Sequence, residues 1–160
     1  METAVELNSL SKSHHIAGWR VGMLLAHPKI IQQVLKVKTN IDSGSYKGIQ
    51  LAAVQALSTN LDWHQQQNEI YKKRKAAVFE LNDLLGCIYE QDTSGMFVWA
   101  KIPESQSNAE SYSEFILQQA NVFITPGFIF GDNGNQYLRT SLCLPLDKIE
   151  AAIERIKKNI

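Results

Sequence analysis

A lysine flanked by hydroxyl side chains offers the clearest chemistry in this sequence. Lys12 follows Ser9 and Ser11, and Arg20 comes eight positions later. A lysine amine can form a Schiff base with an aldehyde, serine hydroxyls can donate hydrogen bonds to phosphate, and a guanidinium can bind two phosphate oxygens at once. The spacing therefore allows a Schiff base beside a bound phosphate. It also allows a solvated loop lysine with turn-forming serines and a surface arginine, the commoner meaning of so short a pattern.

The charge distribution around Lys12 favours an anion. The 160-residue chain has sixteen basic and sixteen acidic residues and a formal net charge of zero. Residues 7–41 nevertheless contain five basic side chains and no acidic one. A nearby carboxylate would repel phosphate, so its absence fits a phosphate site. The neutral total argues against a nucleic-acid partner, which normally meets a strongly basic surface.

Composition and spacing exclude several other classes of protein. Hydrophobic residues make up 44% of the chain and charged residues 20%, as in an ordinary folded domain. Cys87 and Cys143 are 56 positions apart, with no CxxC and no histidine at ligand spacing, so neither a metal site nor a disulfide framework is predicted. The longest apolar stretch, residues 21–26, is too short to span a bilayer. We therefore expect a cytoplasmic protein with reduced thiols and no membrane partner.

The elements around Lys12 are predicted to be two strands and two helices. Residues 4–10 and 20–26 have strand patterns, and the connection between them is too short for the crossover helix of adjacent parallel strands. The pair is therefore antiparallel or not adjacent. Helices are predicted over residues 28–40 and 47–59. These elements are too few for a closed core, so this part should belong to something larger or pack against the rest.

The remainder of the chain is predicted to form a small mixed sheet covered by helices. Asp62 is expected to cap a long helix that ends at Gly86, and a capping box from Ser107 to Glu110 is expected to begin a second helix. A third helix follows Leu146. The predicted strands lie near residues 87–90, 96–102, 122–125 and 137–143.

The segment around Lys12 resembles the pyridoxal-phosphate attachment signature of class I and II aminotransferases. In that signature Ser-x-Ser-Lys is followed by Gly-x-Arg-x-Gly. The six matching positions in this sequence are Ser9, Ser11, Lys12, Gly18, Arg20 and Gly22. One position departs from the signature, because His15 stands where the family usually has a small residue or asparagine.

A second region of resemblance lies more than a hundred residues downstream. Residues 125–131 resemble the loop that precedes the substrate-binding strand of this family, and residues 137–142 resemble that strand. The resemblance implies that Arg139 binds the substrate α-carboxylate, although an arginine paired with a structural carboxylate is the alternative from the residues alone. Residues 40–44 occupy the place from which family members often reach the partner subunit's cofactor site. A plain polar turn explains them at least as well.

The resemblance implies the α/β architecture of fold type I pyridoxal-phosphate enzymes. Residues 1–60 would be the C-terminal edge of the large cofactor-binding domain and residues 61–160 a complete small domain. The implied activity is amino-group transfer between an L-amino acid and a 2-oxo acid, in a homodimer. Lys12 would hold pyridoxal 5'-phosphate and move the substrate proton, and the expected cofactor-binding residues are Ser9, Ser11, Lys12 and Arg20.

We expect this chain to be the C-terminal portion of such an enzyme and to be inactive alone. In the family a long segment precedes the lysine, with an aspartate for the pyridine nitrogen and an aromatic residue that stacks on the ring. Eleven residues precede Lys12 here, and none of them is aromatic. Three alternatives remain: a lyase that uses the same fold and lysine, a non-catalytic dimerising or binding module, and a chance motif on an unrelated α/β domain.

Overall fold

The computed structural model describes residues 3–160 and divides the chain into two compact units. The first unit ends at Trp63 and the second begins at His64. The expected boundary after residue 60 concerns the domains of a larger enzyme and stays a prediction. Each unit is described by itself below.

The first unit contains a two-stranded antiparallel sheet and two helices of more than two turns. Glu6 pairs with Leu25 and Ser9 pairs with Gly22, which confirms the antiparallel alternative for the two predicted strands. A 3-10 turn at Ala17–Trp19 lies in the connection between them. The elements are β1 (Glu6–Ser9), α1 (Leu10–Ser13), β2 (Gly22–Leu25), α2 (Pro28–Ile41) and α3 (Lys47–Leu57).

Helix α2 begins where its sequence provides a start signal. Pro28 is the first helical residue, a position where the missing N–H has no helical partner to lose. The Nδ1 atom of His27 accepts a hydrogen bond from the backbone N–H of Lys29 at 3.2 Å. The helix runs to Ile41, one residue beyond its predicted end.

Few side chains of the first unit are enclosed. Among its described residues, Leu10 is the one apolar side chain that is almost completely buried, and neither α2 nor α3 contains a buried residue. Val37, Ile41 and Val54 are each more than half exposed. These observations confirm that this part of the chain does not close a core of its own.

The second unit is a four-stranded sheet with helices packed on one face. A helix that starts in the first unit, α4 (Leu61–Leu84), continues into it. The strand order is β3-β4-β6-β5. The remaining elements are β3 (Ile88–Tyr89), β4 (Phe97–Lys101), α5 (Ala109–Ala120), β5 (Thr125–Pro126), β6 (Tyr137–Ser141) and α6 (Leu146–Asn159).

The sheet is antiparallel at all three of its pairings, so the expectation of a mixed sheet was wrong in this respect. Helix α5 connects β4 to β5, and these two strands do run in the same direction. However, β6 lies between them and is antiparallel to both. The helix between β4 and β5 was predicted correctly. The insertion of β6 between them was not, because a local sequence pattern does not show which distant strand pairs with which.

The core of the second unit lies between the sheet and its helices. Alternate residues of β4 point inward, so Val98 and Ala100 are buried while Phe97 and Trp99 lie on the opposite face of the sheet. The helices contribute apolar side chains at helical spacing, among them Val78, Leu81, Ile116, Ile149, Ile153 and Ile156. The alternate side chains of β4 and β6, which do not point into the core, therefore lie on the opposite face of the sheet.

Two predicted helix starts were wrong by one or two residues. The Oδ1 atom of Asn108, rather than Ser107, accepts the N–H of Ser111 at 2.8 Å and caps α5. Asp62 was the expected cap of α4, but the hydrogen bond at this helix start is made by Asn60, whose Oδ1 atom accepts the N–H of Trp63 at 3.1 Å. In each case the asparagine lies three residues before the N–H that it accepts, which is the capping geometry.

Strand β5 begins at Thr125 rather than near residue 122. The chain leaves α5 through Asn121 in a left-handed conformation, with φ of 52°. Ile124 is buried in the core, and its carbonyl accepts a hydrogen bond from the hydroxyl of Ser113 instead of joining the strand ladder. None of the helices described between residues 3 and 160 has the length and apolar character that a membrane crossing needs.

Candidate functional site

Lys12 lies one turn beyond the end of β1, on an exposed part of the short helix α1. This helix begins because the Oγ atom of Ser9 accepts the backbone N–H of Ser11 at 3.2 Å. Leu10, its first residue, is buried and anchors the turn. As an acceptor in this bond, the Ser9 hydroxyl keeps its own hydrogen to donate elsewhere.

Arg20 lies at the other end of the same loop. It follows the 3-10 turn and has a left-handed φ of 53°, and its Nη1 atom donates to the carbonyl of Ala17 at 3.0 Å. Ser9 and Gly22 are paired across the two strands, which closes the loop between them. The structure therefore places all four residues predicted to bind the cofactor in one closed loop or at its base: Ser9, Ser11, Lys12 and Arg20.

Gly22 is required where the two strands meet. A β-carbon at this position would lie 2.9 Å from the carbonyl oxygen of Asn8, closer than real side chains approach. The signature glycine therefore has a local reason, since it allows the strand that follows Arg20 to pair closely with the strand that precedes Lys12.

The loop that carries Lys12 is suited to an anion. Among the described residues, no carboxylate forms an ion pair with Lys12 or Arg20. The lysine amine is exposed and the Ser9 hydroxyl can still donate. A phosphorylated aldehyde has the two groups that this donor set accommodates, an electrophilic carbon for the amine and phosphate oxygens for hydroxyl and guanidinium donors.

Two histidines and a tryptophan form an aromatic contact beside this loop. The ring centroids of His14 and Trp63 are 6.3 Å apart and nearly parallel, and those of His15 and Trp63 are 5.5 Å apart and edge to face. His15 has a left-handed φ of 57°. Asparagine tolerates this conformation better than most residues, which accounts for the asparagine that the family signature often has here. In the sequence, the only hint of this contact was that His15 departs from the family signature.

Arg139 lies on β6, on the sheet face away from the core. In the sheet it is paired with Trp99 of β4 and with Thr125 of β5. Its guanidinium carbon lies 4.3 Å from the ring centroid of Phe97 and 4.0 Å from that of Phe130. No carboxylate among the described residues forms an ion pair with it. The alternative of a structural carboxylate partner therefore finds no support in residues 3–160.

The loop before β6 is held by two glycines in close contact. A β-carbon on Gly127 would lie 2.5 Å from the carbonyl oxygen of Gly134 and 2.8 Å from the ring of Trp99. This contact seats the 3-10 turn Gly127–Phe130 against the end of β6. The sequence singled out this loop, but it did not indicate that Phe97 and Phe130 contact Arg139, because cation–ring contacts have no sequence spacing of their own.

Residues 40–44 form a polar turn after α2. The carboxylate of Asp42 accepts hydrogen bonds from the Nζ atom of Lys38 at 2.6 Å and from the N–H of Gly44 at 2.8 Å. These bonds, the first above all, lower the pKa of Asp42 below its ordinary value. The structure describes the turn within one chain, and the role of these residues toward a partner subunit stays a prediction. No group of three or more His, Cys, Asp or Glu side chains within residues 3–160 is placed to hold a metal ion.

Comparison with known proteins matches nearly the whole chain. The sequence profile of aminotransferase class I and II matches residues 1–156. The chain belongs to this family. Its members depend on pyridoxal phosphate, and the solved relatives have the type I fold of pyridoxal-phosphate enzymes, so the expected fold class and cofactor are both confirmed.

Individual members of this family match almost the whole chain. LL-diaminopimelate aminotransferases of Maridesulfovibrio salexigens and Aquifex aeolicus are 34% and 35% identical to it over 157 residues, which are 98% of this chain and 40% of each relative. The solved structure of apo-BacF from Bacillus subtilis is 33% identical, with a TM-score of 0.85 over 98% of this chain and 40% of that one. An aromatic aminotransferase from Pyrococcus horikoshii is 26% identical, with a TM-score of 0.87 over 98% and 42%. The chain thus spans about 40% of the length of the relatives it matches.

Proposed function

We propose that this chain provides the cofactor-attachment lysine and the substrate-binding arginine of a pyridoxal-phosphate-dependent amino-acid aminotransferase. The reaction is amino-group transfer between an L-amino acid and a 2-oxo acid. The observation that carries the proposal is the loop closed by Ser9 and Gly22, which holds the whole attachment signature and is free of carboxylate ion pairs within the described residues.

Each residue of the loop has a distinct task in this proposal. Pyridoxal phosphate supplies an electron-withdrawing ring that stabilises the charge left when an α-proton is removed. The Nζ atom of Lys12 would hold the cofactor at its aldehyde carbon, and the same amine would move the proton at the substrate Cα. Ser9 and Ser11 donate hydroxyl hydrogens to phosphate oxygens, and Arg20 provides the bidentate cation.

Arg139 is the proposed receptor of the substrate α-carboxylate. Its guanidinium is a planar cation with no carboxylate partner among residues 3–160. A bidentate carboxylate contact fixes the direction of the bond from Cα to the carboxyl group, and so orients the α-hydrogen for transfer. The names of the two curated relatives described above make LL-diaminopimelate the first amino donor to test.

The complete activity is proposed for a larger protein, in the cytoplasm and as a homodimer. Support comes from the 40% of the relatives' length that this chain spans, and from the exposed apolar side chains of α2 and α3. The partner of the pyridine nitrogen and the aromatic residue that stacks on the ring are then supplied by other parts of that protein. This chain alone is expected to bind the cofactor poorly and to transaminate no amino acid.

Labelling with the cofactor tests the proposal. The purified chain is titrated with pyridoxal phosphate, reduced with borohydride and mapped by peptide mass spectrometry. We expect less than one label per chain, with Lys12 labelled in preference to Lys29, an exposed lysine on α2 that serves as the internal control. The Lys12→Arg variant should lose the preferred label, and Lys29→Arg should still be labelled at Lys12.

Two outcomes of the same experiment contradict different parts of the proposal. Equal labelling of Lys12 and Lys29 would show that Lys12 is not the attachment residue. Stoichiometric labelling of Lys12 together with turnover of an amino acid would show that the chain is not an incomplete part. Turnover that does not depend on an added 2-oxo acid would favour a lyase instead of an aminotransferase.

A further inference from the structure

Arg139 is held by aromatic rings instead of by an acidic side chain. Its guanidinium carbon lies within 4.3 Å of the centroids of Phe97 and Phe130, both well inside the range of a cation–ring interaction. An arginine on an exposed sheet face usually moves among several rotamers, and ordering it costs side-chain entropy. Here the two rings restrict it before any ligand arrives.

Among residues 3–160 no side-chain hydrogen bond or ion pair of Arg139 is described, so its N–H donors are not used by the contacts with the two rings. A ring that lies over the guanidinium contacts its flat π-face, whereas the N–H bonds lie in the plane of the group. A carboxylate binds arginine through that planar edge. Aromatic contacts therefore orient the cation without occupying the donors that a carboxylate needs, which an aspartate or glutamate partner would do.

Each of the two rings is placed by a separate feature of the fold. Phe97 is the first residue of β4 and lies on the same sheet face as Arg139 because it is two residues before Trp99, the direct partner of Arg139. Phe130 ends the 3-10 turn that the Gly127 and Gly134 contact holds in place. Its ring also meets Trp99 edge to face, with centroids 5.9 Å apart.

Trp99 is itself fixed on this face. Its ring stacks on Tyr137, with centroids 5.5 Å apart and planes 16° from parallel. The ring that contacts Phe130 edge to face is therefore itself held by a second ring. The arrangement restricts the ring that lies nearest to Arg139.

We propose that Phe97 and Phe130 are positioning residues that hold the guanidinium of Arg139 ready for a carboxylate. The inference rests on the proposed function, in which Arg139 binds the α-carboxylate, and adds how the receptor is preorganised. Both rings act through Arg139 and need not touch the substrate. Removing either ring should weaken carboxylate binding about three- to tenfold, because a freely rotating arginine must be ordered by the ligand itself.

The side-chain Nε–H resonance of Arg139 provides a direct test on the chain as it is. The sequence has four arginines, so a nitrogen-15 spectrum contains four such resonances, and the Arg139→Lys variant identifies the relevant one. Propionate, a monocarboxylate without an amino group, is the probe, and sodium chloride at equal ionic strength is the reference. Dissociation constants are compared for the wild type, Phe97→Leu, Phe130→Leu and Phe130→Tyr.

Phe128→Leu is the matched control. Phe128 lies in the same 3-10 turn as Phe130, it is also partly exposed, and no described contact joins its ring to Arg139. We expect the two leucine variants at positions 97 and 130 to bind propionate more weakly and to show a lower order parameter at the Arg139 Nε. Phe130→Tyr and Phe128→Leu should behave as the wild type. Thermal midpoints measured in parallel separate these effects from loss of fold.

The outcomes distinguish this inference from the function on which it rests. If Arg139→Lys removes propionate binding but Phe97→Leu and Phe130→Leu do not change it, the positioning role is overturned and the receptor role stands. If the wild type does not bind propionate, or if Arg139→Lys binds it equally well, the receptor role itself is overturned. An equal loss in Phe128→Leu would show that the turn as a whole, and not the ring of Phe130, is responsible.

Discussion

The backbones of Gly127 and Gly134 touch so closely that neither position has room for a side chain. A β-carbon on Gly127 would meet the carbonyl oxygens of Gly134 at 2.5 Å and of Tyr137 at 2.8 Å. Both neighbours are backbone atoms, which cannot rotate away as a side chain would. The turn that carries Phe130 therefore depends on a single pair of glycines.

Substitution of Gly127 by alanine should destabilise the second unit by about 1–3 kcal/mol, the usual cost of forcing an extra methyl group into a packed site. Chemical denaturation followed by circular dichroism measures the change. Gly18→Ala is the control, because a β-carbon there would meet nothing within 4 Å. Equal stability of Gly127→Ala and the wild type would show that the two backbones are not in contact.

Removal of the α5 cap should cost about 1 kcal/mol at Asn108 and less than about 0.5 kcal/mol at Ser107. Only Asn108 has a side-chain oxygen bonded to the first turn of the helix. The two adjacent alanine variants, measured in the same denaturant series, are controls for each other. A larger loss in Ser107→Ala would restore the capping box that the sequence suggested.

One buried thiol should contribute to a fall in stability between about pH 9 and pH 11. Burial raises the pKa of Cys87 from an ordinary 9.0 to about 11. In this window the unfolded chain has lost the thiol proton and the folded chain retains it, so the stabilisation present below pH 9 disappears as the pH rises through the folded value. Two pKa units set a ceiling of about 2.7 kcal/mol on this contribution.

Free energies of unfolding at pH 8, 9, 10 and 11 measure this effect. Each variant is compared with its own value at pH 8, which removes any packing change. Cys87→Ala should lose less stability over the range than the wild type does. The exposed Cys143 provides the control, and Cys143→Ala should follow the wild type. Parallel curves for Cys87→Ala and the wild type would contradict the buried location of the thiol.

Ile116 should be among the most sensitive core positions. It is completely buried on α5 within the apolar cluster of the second unit. Ile116→Ala should cost about 2–5 kcal/mol through lost burial and the cavity that remains. Ile88, which is 71% exposed on the edge strand β3, gives the matched Ile→Ala control, expected to change by less than about 0.5 kcal/mol. Similar losses at the two positions would contradict this placement of the core.

The sequence predicted those parts of the fold that local signals control. Pro28 began α2 as expected, and Gly86, with a φ of 64°, ended α4 as expected, since both residues act through their own backbone. Cap positions were less certain because Ser107 and Asn108 are both good caps, and only packing decides between them. The place of β6 in the sheet depends on distant residues, so no local pattern contained it.

The candidate site was predictable to a similar extent. The attachment signature predicted a single cofactor-binding loop. In the structure, the four residues predicted to bind the cofactor lie in that loop or at its base. The aromatic surroundings of Arg139 and the contacts of Trp63 with the two histidines were not foreseen. These contacts join rings from separate elements, and a ring gives the same sequence signal in a core as beside a cation.

The insertion of β6 between β4 and β5 sets the order in which this unit can assemble during synthesis. Strands β4 and β5 leave the ribosome earlier, yet they have no direct pairing with each other. Until residue 141 has emerged, β5 has no strand to pair with, and one edge of β4 stays open. The sheet must therefore complete itself late, by accepting a strand into a prepared gap, and a nascent chain stalled before that point would present two unpaired edges to chaperones and to other chains.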